Sequence, residues 1–288
     1  MLSKKLFLGV AVAVMFGACS KEVSKQSYIP EENEIVLNML LPQQSTRVTE
    51  TTFEQNDEIG VYVTLSGSDL QLAGNEVNNE PFVYCDKLWV SPRKVFWNEG
   101  LHDVYAYYPY TKVVNDIKDF SFQVQLDQST DEGYSMSDFL WATTTGVTAS
   151  TEPVDMHFEH KLSRVIVKLQ KGEKFEGDIP NDVQVYIYST VPNAVIDLST
   201  GDAAKDTFKS PETIRCKQFF GDTYSAIVVP QSLTSQVPLV EIVMGEVSYL
   251  MYGKISFRPG YSHTITVTLN QNPEQIKIEI GGDVGGWN

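Results

Sequence analysis

Cys19 carries the first chemistry legible in this 288-residue chain. Lys4 and Lys5 precede an apolar run from Leu6 to Gly17, and Gly17-Ala18-Cys19 places small residues directly before a thiol. A charged start, an apolar stretch and a small-residue cleavage site make an export signal. With cysteine at the junction, the order is that of a bacterial lipoprotein signal. The run falls short of the ~20 apolar residues that a spanning helix needs, so removal of residues 1–18 is expected rather than retention as a transmembrane anchor. The mature chain then begins at Cys19, whose sulfur takes a thioether-linked diacylglycerol and whose amine takes a further acyl chain. Several acyl chains hold a soluble body firmly against a membrane, so the expected destination is the envelope of a bacterium.

Other residue types invite chemistry without supporting it. His157 and His160, with Glu159 between them, are zinc-ligand types. An odd separation on a strand puts their rings on opposite faces, so one solvent-facing and one interior, hydrogen-bonded histidine is expected instead of a joint site. Asp197, Asp202 and Asp206 flank a glycine-containing turn, yet lack the alternating ligand positions of a calcium loop. A solvated turn is the default there. No Gly-x-Ser-x-Gly or other nucleophile signature occurs, and carboxylates cannot be paired by spacing on a β scaffold. The chain therefore reads as a non-enzyme with no metal, cofactor or catalytic residue. Trp97, Tyr105, Tyr107, Tyr108 and Tyr110 form an aromatic stretch that can stack on sugars or fill a sandwich interior and its rim, and the structural role is favoured. Cys85 and Cys216 stand in strand-like runs in different halves. A bridge needs Cα atoms within about 7 Å, and two separate thiols are favoured.

Charge narrows the field of partners. Losing residues 1–18 removes two lysines and no acid, which takes the formal charge from −15 to about −17. Such a surface repels phosphate backbones and shows no basic patch, so nucleic acid is not an expected partner. A 42% hydrophobic fraction is ample for packed cores, and the length suits two domains of roughly 120–140 residues.

The elements that must position any site are strands. Phe120, Phe122, Val124 and Leu126 alternate with polar residues, and so do Ile265, Val267 and Leu269. Val183, Val185 and Ile187 do the same, as do Ile276, Ile278 and Ile280. Period-two patterning marks half-buried antiparallel strands, while helical periodicity is nearly absent. Turn clusters such as Ser66-Gly67-Ser68 separate the runs, which points to all-β sandwiches with Greek-key-like connections. Residues 19–33 lack a pattern and read as a tether. An N-terminal sandwich is expected over 34–160 and a C-terminal one over 161–288. The boundary is placed where the apolar phase of Val154, Met156, Phe158 and Leu162 switches to that of Val165, Val167 and Leu169.

Short motifs along the mature chain resemble a family. Arg47-Val48-Thr49 precedes Phe53, and Asp57-Glu58-Ile59-Gly60-Val61-Tyr62 is similar to a family signature in which glycine stands where this chain has Asn56. Tyr107-Tyr108-Pro109-Tyr110 follows, then Ser137-Asp138-Phe139-Leu140-Trp141-Ala142 and Phe158-x-His160-x-Leu162-Ser163-Arg164-Val165. Pro259-Gly260-Tyr261, Ile278 and Trp287 complete the set. In their order and spacing these blocks resemble the fimbrillins of Bacteroidetes type V pili, the Mfa-like or fimbrillin-A-like lipoproteins.

The resemblance implies two tandem antiparallel β-sandwiches of transthyretin-like, Greek-key type. It also implies assembly by donated strands. Precursors travel as lipoproteins to the outer membrane and are cut after an arginine in the loop that follows the first strand. That strand leaves, and a neighbour's C-terminal strand fills the groove, so the partners are other fimbrillin subunits in a homo- or heteropolymer. This chain accommodates each part. Residues 34–41 alternate with Ile35, Leu37, Met39 and Leu41 on one face as the released strand, the cut falls between Arg47 and Val48, and Ile276, Ile278 and Ile280 form the donor strand. Arg47 is equally an ordinary surface arginine, and the last strand equally an edge strand of its own sheet, with Gly281, Gly282, Gly285 and Gly286 suited to a strand-ending tail. A stalk or tip subunit is expected. The alternatives are a membrane anchor that keeps its lipid, a surface lipoprotein that binds host or bacterial glycans, and an envelope hydrolase in third place.

Overall fold

The computed structural model describes residues 29–42, 53–270 and 277–287, with 277–285 described as backbone. Cys19, Arg47, Val48 and Ile276 lie outside the described residues. Strands make up 55% of the described residues and helix 2%, which makes the fold all-β. The first half runs β1 (Leu37–Leu40), β2 (Glu58–Leu65), β3 (Val77–Cys85), β4 (Leu88–Val90), β5 (Leu101–Tyr108) and β6 (Phe120–Gln123). A short helix α1 (Asp131–Ser135), β7 (Leu140–Thr148), β8 (Val154–His157) and β9 (Glu159–His160) complete it. The second half runs β10 (Ser163–Lys171), β11 (Gln184–Thr190), β12 (Asn193–Asp197), β13 (Asp202–Lys205), β14 (Glu212–Arg215) and β15 (Lys217–Phe220). It ends with β16 (Thr223–Val228), β17 (Gln231–Met244), β18 (Val247–Phe257), β19 (Tyr261–Leu269) and β20 (Lys277–Gly286).

These strands form a six-stranded sheet β4-β3-β2-β5-β7-β9, a five-stranded sheet β15-β16-β10-β19-β20 and a four-stranded sheet β14-β11-β17-β18. A three-stranded sheet β13-β12-β6 and the pair β1-β8 accompany them. The antiparallel expectation holds for most pairs and needs correcting for two. β1 runs parallel to β8, with Leu37 opposite Val154, and β10 runs parallel to β19, with Val165 opposite His263. Parallel neighbours require long crossovers, which hairpin-type turn signals cannot reveal.

Period two sorts the side chains into two cores. On one face of the six-stranded sheet, Ile59, Val61 and Val63 of β2, Val104 and Ala106 of β5, and Leu140 and Ala142 of β7 pack with Ile35, Leu37, Met39, Trp97, Met156 and Phe158. On its other face, Tyr62, Tyr107, Phe139 and Trp141 pack with Phe120, Leu162, Val165 and the strands of the second half. Burial on both faces explains why β2 reads as a nearly continuous apolar run. β6 also crosses the halves, since Phe120 pairs with Ile196 and Phe122 with Ala194. Along the chain, Phe158 belongs to the first core and Leu162 to the second.

Two family-like positions acquire reasons here. Asn56 has φ 75°, in the left-handed region that suits glycine or asparagine, so it can stand where the signature has glycine. Gly60 lets the Tyr107 ring lie flat across β2, because a Cβ at 60 would overlap that ring. The Tyr107 hydroxyl donates to Asn79 Oδ1 at 2.8 Å, which fixes the ring in place.

Asp103 ties two turns to the sheet. It is 7% exposed and accepts from the N–H groups of Gly67 at 3.2 Å and Gly146 at 2.9 Å. Burial pushes its carboxyl up, but the Gly146 and Gly67 amides, the Ser66 hydroxyl and nearby His102 outweigh this and hold it below the ordinary carboxylate range. A depressed carboxylate pKa contributes stability at neutral pH that is lost as pH falls through the folded value. Asp103→Asn should therefore cost about 1–2 kcal/mol at pH 7. The difference from the parent should close below pH ~4, checked by urea unfolding across pH.

Candidate functional site

The alternation of Ile35, Leu37 and Met39 sets the first part of the site. All three side chains are buried in the first core, Leu41 is half-buried against it, and Asn38 faces solvent. β1 lies in a slot with protein on both sides. On one side Val36 accepts from the Val154 amide at 2.9 Å and Leu40 accepts from the Phe158 amide at 2.8 Å. On the other, the Ile35 amide donates to Val95 at 2.9 Å and Asn33 accepts from the Trp97 amide at 2.8 Å. Charged and polar side chains flank the buried apolar row. Glu34, buried, pairs with Lys94 at 3.0 Å, and Asn38 Nδ2 donates to Asp155 Oδ1 at 2.7 Å. Removing β1 would uncover an apolar floor and two rows of backbone groups at once, and side chains of this size stabilise by roughly 1.5–3 kcal/mol each when buried.

Phe53 is the first described residue after the stretch that contains Arg47. Its ring stands edge-on to Trp89 at 4.7 Å, Tyr108 at 5.7 Å and Phe158 at 5.9 Å. The chain leading into β2 thus has an aromatic anchorage of its own, independent of β1.

β20 supplies the second part. It pairs antiparallel with β19 at the edge of the five-stranded sheet, with Ile278 opposite Val267 and Ile280 opposite Ile265. The glycines do not end the strand. Pairing resumes at Val284 opposite His263, so β20 spends four residues where β19 spends two, and Gly281 and Gly282 fall in that irregularity. Beyond it, the Trp287 amide donates to Gly260 at 2.7 Å, and its buried ring stacks on His160 at 3.9 Å with the planes 5° apart.

The family-like blocks converge around that ring. His160 Nδ1 lies 2.9 Å from an Asp138 carboxylate oxygen, and the Arg164 guanidinium sits 5.4 Å from the Trp287 ring centroid. Arg164 Nε donates to Ser262 Oγ at 2.8 Å, and the Gly260 amide donates to Leu162 at 2.8 Å. Trp141 Nε1 donates to Leu198 at 2.8 Å, which joins β7 to the second half. Sequence spacing named Asp138, His160, Arg164, Gly260 and Trp287 as separate blocks. Their meeting depends on the parallel β10–β19 pairing and carries no local signal.

The remaining candidates resolve plainly. His157 is exposed and His160 buried, as strand parity predicts. Asp197, Asp202 and Asp206 each bond within their own turns, to Ser199, Thr200 and Phe208. Among the described residues no three His, Cys, Asp or Glu side chains converge as a metal site. Trp97 and Tyr107 are buried, and Tyr105, Tyr108 and Tyr110 half-buried, so they line cores and rims and form no open platform. Cys216 is a free, buried thiol pushed up in pKa by burial and makes no bridge to Cys85, while Cys85 is itself in a disulfide, which corrects the expectation of two separate thiols.

Comparison with known proteins places this arrangement. No curated protein matches the chain. A candidate cell adhesion protein from Bacteroides ovatus has 21% identity and a TM-score of 0.70, covering 91% of this chain and 99% of its own. A second, from Bacteroides uniformis, has 18% identity and a TM-score of 0.68, covering 89% and 100%. A fimbrial protein from Bacteroides vulgatus has 15% identity and a TM-score of 0.51, covering 89% and 100%. At these identities the likeness is one of fold. The profile described as fimbrillin-like matches residues 46–287, a span that takes in the Gly60, Trp141, His160, Arg164 and Trp287 blocks just described. On that match, which runs through both cores, the chain belongs to the fimbrillin-like family.

Proposed function

We propose that this protein is an adhesive, non-enzymatic subunit of a bacterial surface fimbrium, exported as a lipoprotein through Cys19 and anchored by that lipid until maturation. Cleavage between Arg47 and Val48 severs β1 from β2, and the vacated slot takes the C-terminal strand of another subunit. The slot itself carries the reading. The segment that ends in β1 inserts three apolar side chains, Ile35, Leu37 and Met39, between two backbone rows and runs on to β2 through the stretch that holds Arg47. Family membership and the adhesion and fimbrial descriptions of the structural neighbours support the same role. Repetition of a head-to-tail strand contact gives an open filament instead of a closed ring.

Incubation with an arginine-specific protease, read by mass spectrometry and denaturant-resistant ladders on gels, tests the scheme. The expected product starts at Val48 and forms multimers. A product trimmed to Val48 that stays monomeric at high concentration would overturn it. A second reading, an anchor that retains its lipid, is favoured by one observation: β20 sits in its own sheet with Trp287 enclosed. Lipidated Cys19 persisting in assembled fibres would select that reading.

A further inference from the structure

We infer that Trp287 is a latch, a positioning residue that holds β20 in its own sheet and sets how readily that strand passes to another subunit. The inference rests on the strand-donation reading above. An edge strand has one neighbour, and here that neighbour is β19. Its pairing is interrupted between His263 and Ile265, so the hydrogen-bonded ladder alone is a weak tether for the last residues. Trp287 supplies what the ladder lacks. It is 3% exposed, although it lies beyond the end of the strand. Its amide bonds to Gly260, and its ring is stacked on His160 and flanked by the Arg164 guanidinium. Every wall of the pocket is itself held. Asp138 fixes the His160 ring, Ser262 fixes Arg164, and Gly260 is pinned to Leu162. The His160 main-chain oxygen leaves little room for a side chain at position 260. A rigid pocket for a flat ring at the tip of an edge strand turns gradual fraying into a single release step.

The pocket also stands next to the other terminal strand. His157 pairs with Leu40, the Phe158 amide donates to Leu40, and two residues later His160 carries Trp287. One short segment therefore closes both the slot of β1 and the pocket of the tail, so the state of one bears on the other.

The test compares the full chain with Trp287→Ala and Trp287→Phe by amide exchange and by multimer formation after cleavage at Arg47. Loss of the buried ring should raise exchange in 277–286 roughly 50-fold in Trp287→Ala, with Trp287→Phe intermediate and β10 and β16 unchanged. Multimers should form faster in the same order. Unchanged exchange in β20 overturns the latch, and so does a uniform rise that includes β10 and β16, which marks a merely structural residue. Faster exchange with no multimers from any of the three proteins leaves the latch standing and overturns strand donation instead.

Discussion

Leu37→Asp should lower the stability of the full chain by about 3–5 kcal/mol, the largest effect expected from a single change in β1. Leu37 opens β1 and is 4% exposed, within the core that holds Met156 and Phe158. A carboxylate there has no cationic partner within the apolar cluster, and burying it unpaired costs far more than the lost leucine contacts. The chain avoids that cost by letting β1 leave its slot. The rest of the fold keeps the second core, which contains no β1 residue, so the variant should populate a form open only around the slot. Amides of 154–158 should then exchange rapidly while β10 and β16 stay protected. A synthetic peptide of residues 29–42 added in trans should restore protection. A variant within about 0.5 kcal/mol of the parent would mean that β1 contributes little to the core.

Gly60→Ala should cost about 1–3 kcal/mol although it adds one methyl group to a strand. That methyl overlaps the Tyr107 ring and crowds Asn79 Oδ1. Tyr107 cannot swing aside cheaply, because its hydroxyl is bonded to Asn79 and its ring is stacked with Phe139 at 6.1 Å. A double-mutant cycle separates this clash from loss of backbone freedom. In a Tyr107→Leu background the penalty of Gly60→Ala should shrink by about 1–2 kcal/mol, read by urea denaturation. Additive effects would show that the glycine serves β2 itself and not the ring that crosses it.

Strand positions were largely open to reading from side-chain alternation. The runs at Phe120, Val185, Ile265 and Ile278 all became strands, and the parity of His157 and His160 correctly put one ring outside and one inside. Alternation is a local property of a strand and marks no boundary between the cores, since Tyr62, Tyr107, Phe120 and Trp141, all ahead of Phe158, already belong to the second core. What it could not give is which face meets which core. Tyr62 and Val63 are adjacent, both buried, and belong to different cores, a distinction made only by the layers on either side. The parallel pairings of β1 with β8 and of β10 with β19 lie beyond the reach of turn chemistry, and the gathering of Asp138, His160, Arg164 and Trp287 follows from them. The glycines near the end were misleading for a physical reason. They suggest a strand terminus, yet they accommodate a ladder irregularity and let β20 continue to an anchored tryptophan.

The doubly covered six-stranded sheet has a mechanical consequence. β2, β5 and β7 are common to both cores, and only Glu159, His160 and Lys161 separate Phe158 from Leu162 along the chain. No slack thread lies between the two bodies. The strands that carry the first core are the same hydrogen-bonded strands against which the second core packs. Under flow such a molecule should resist as a single stiff brick, with the two cores moving together.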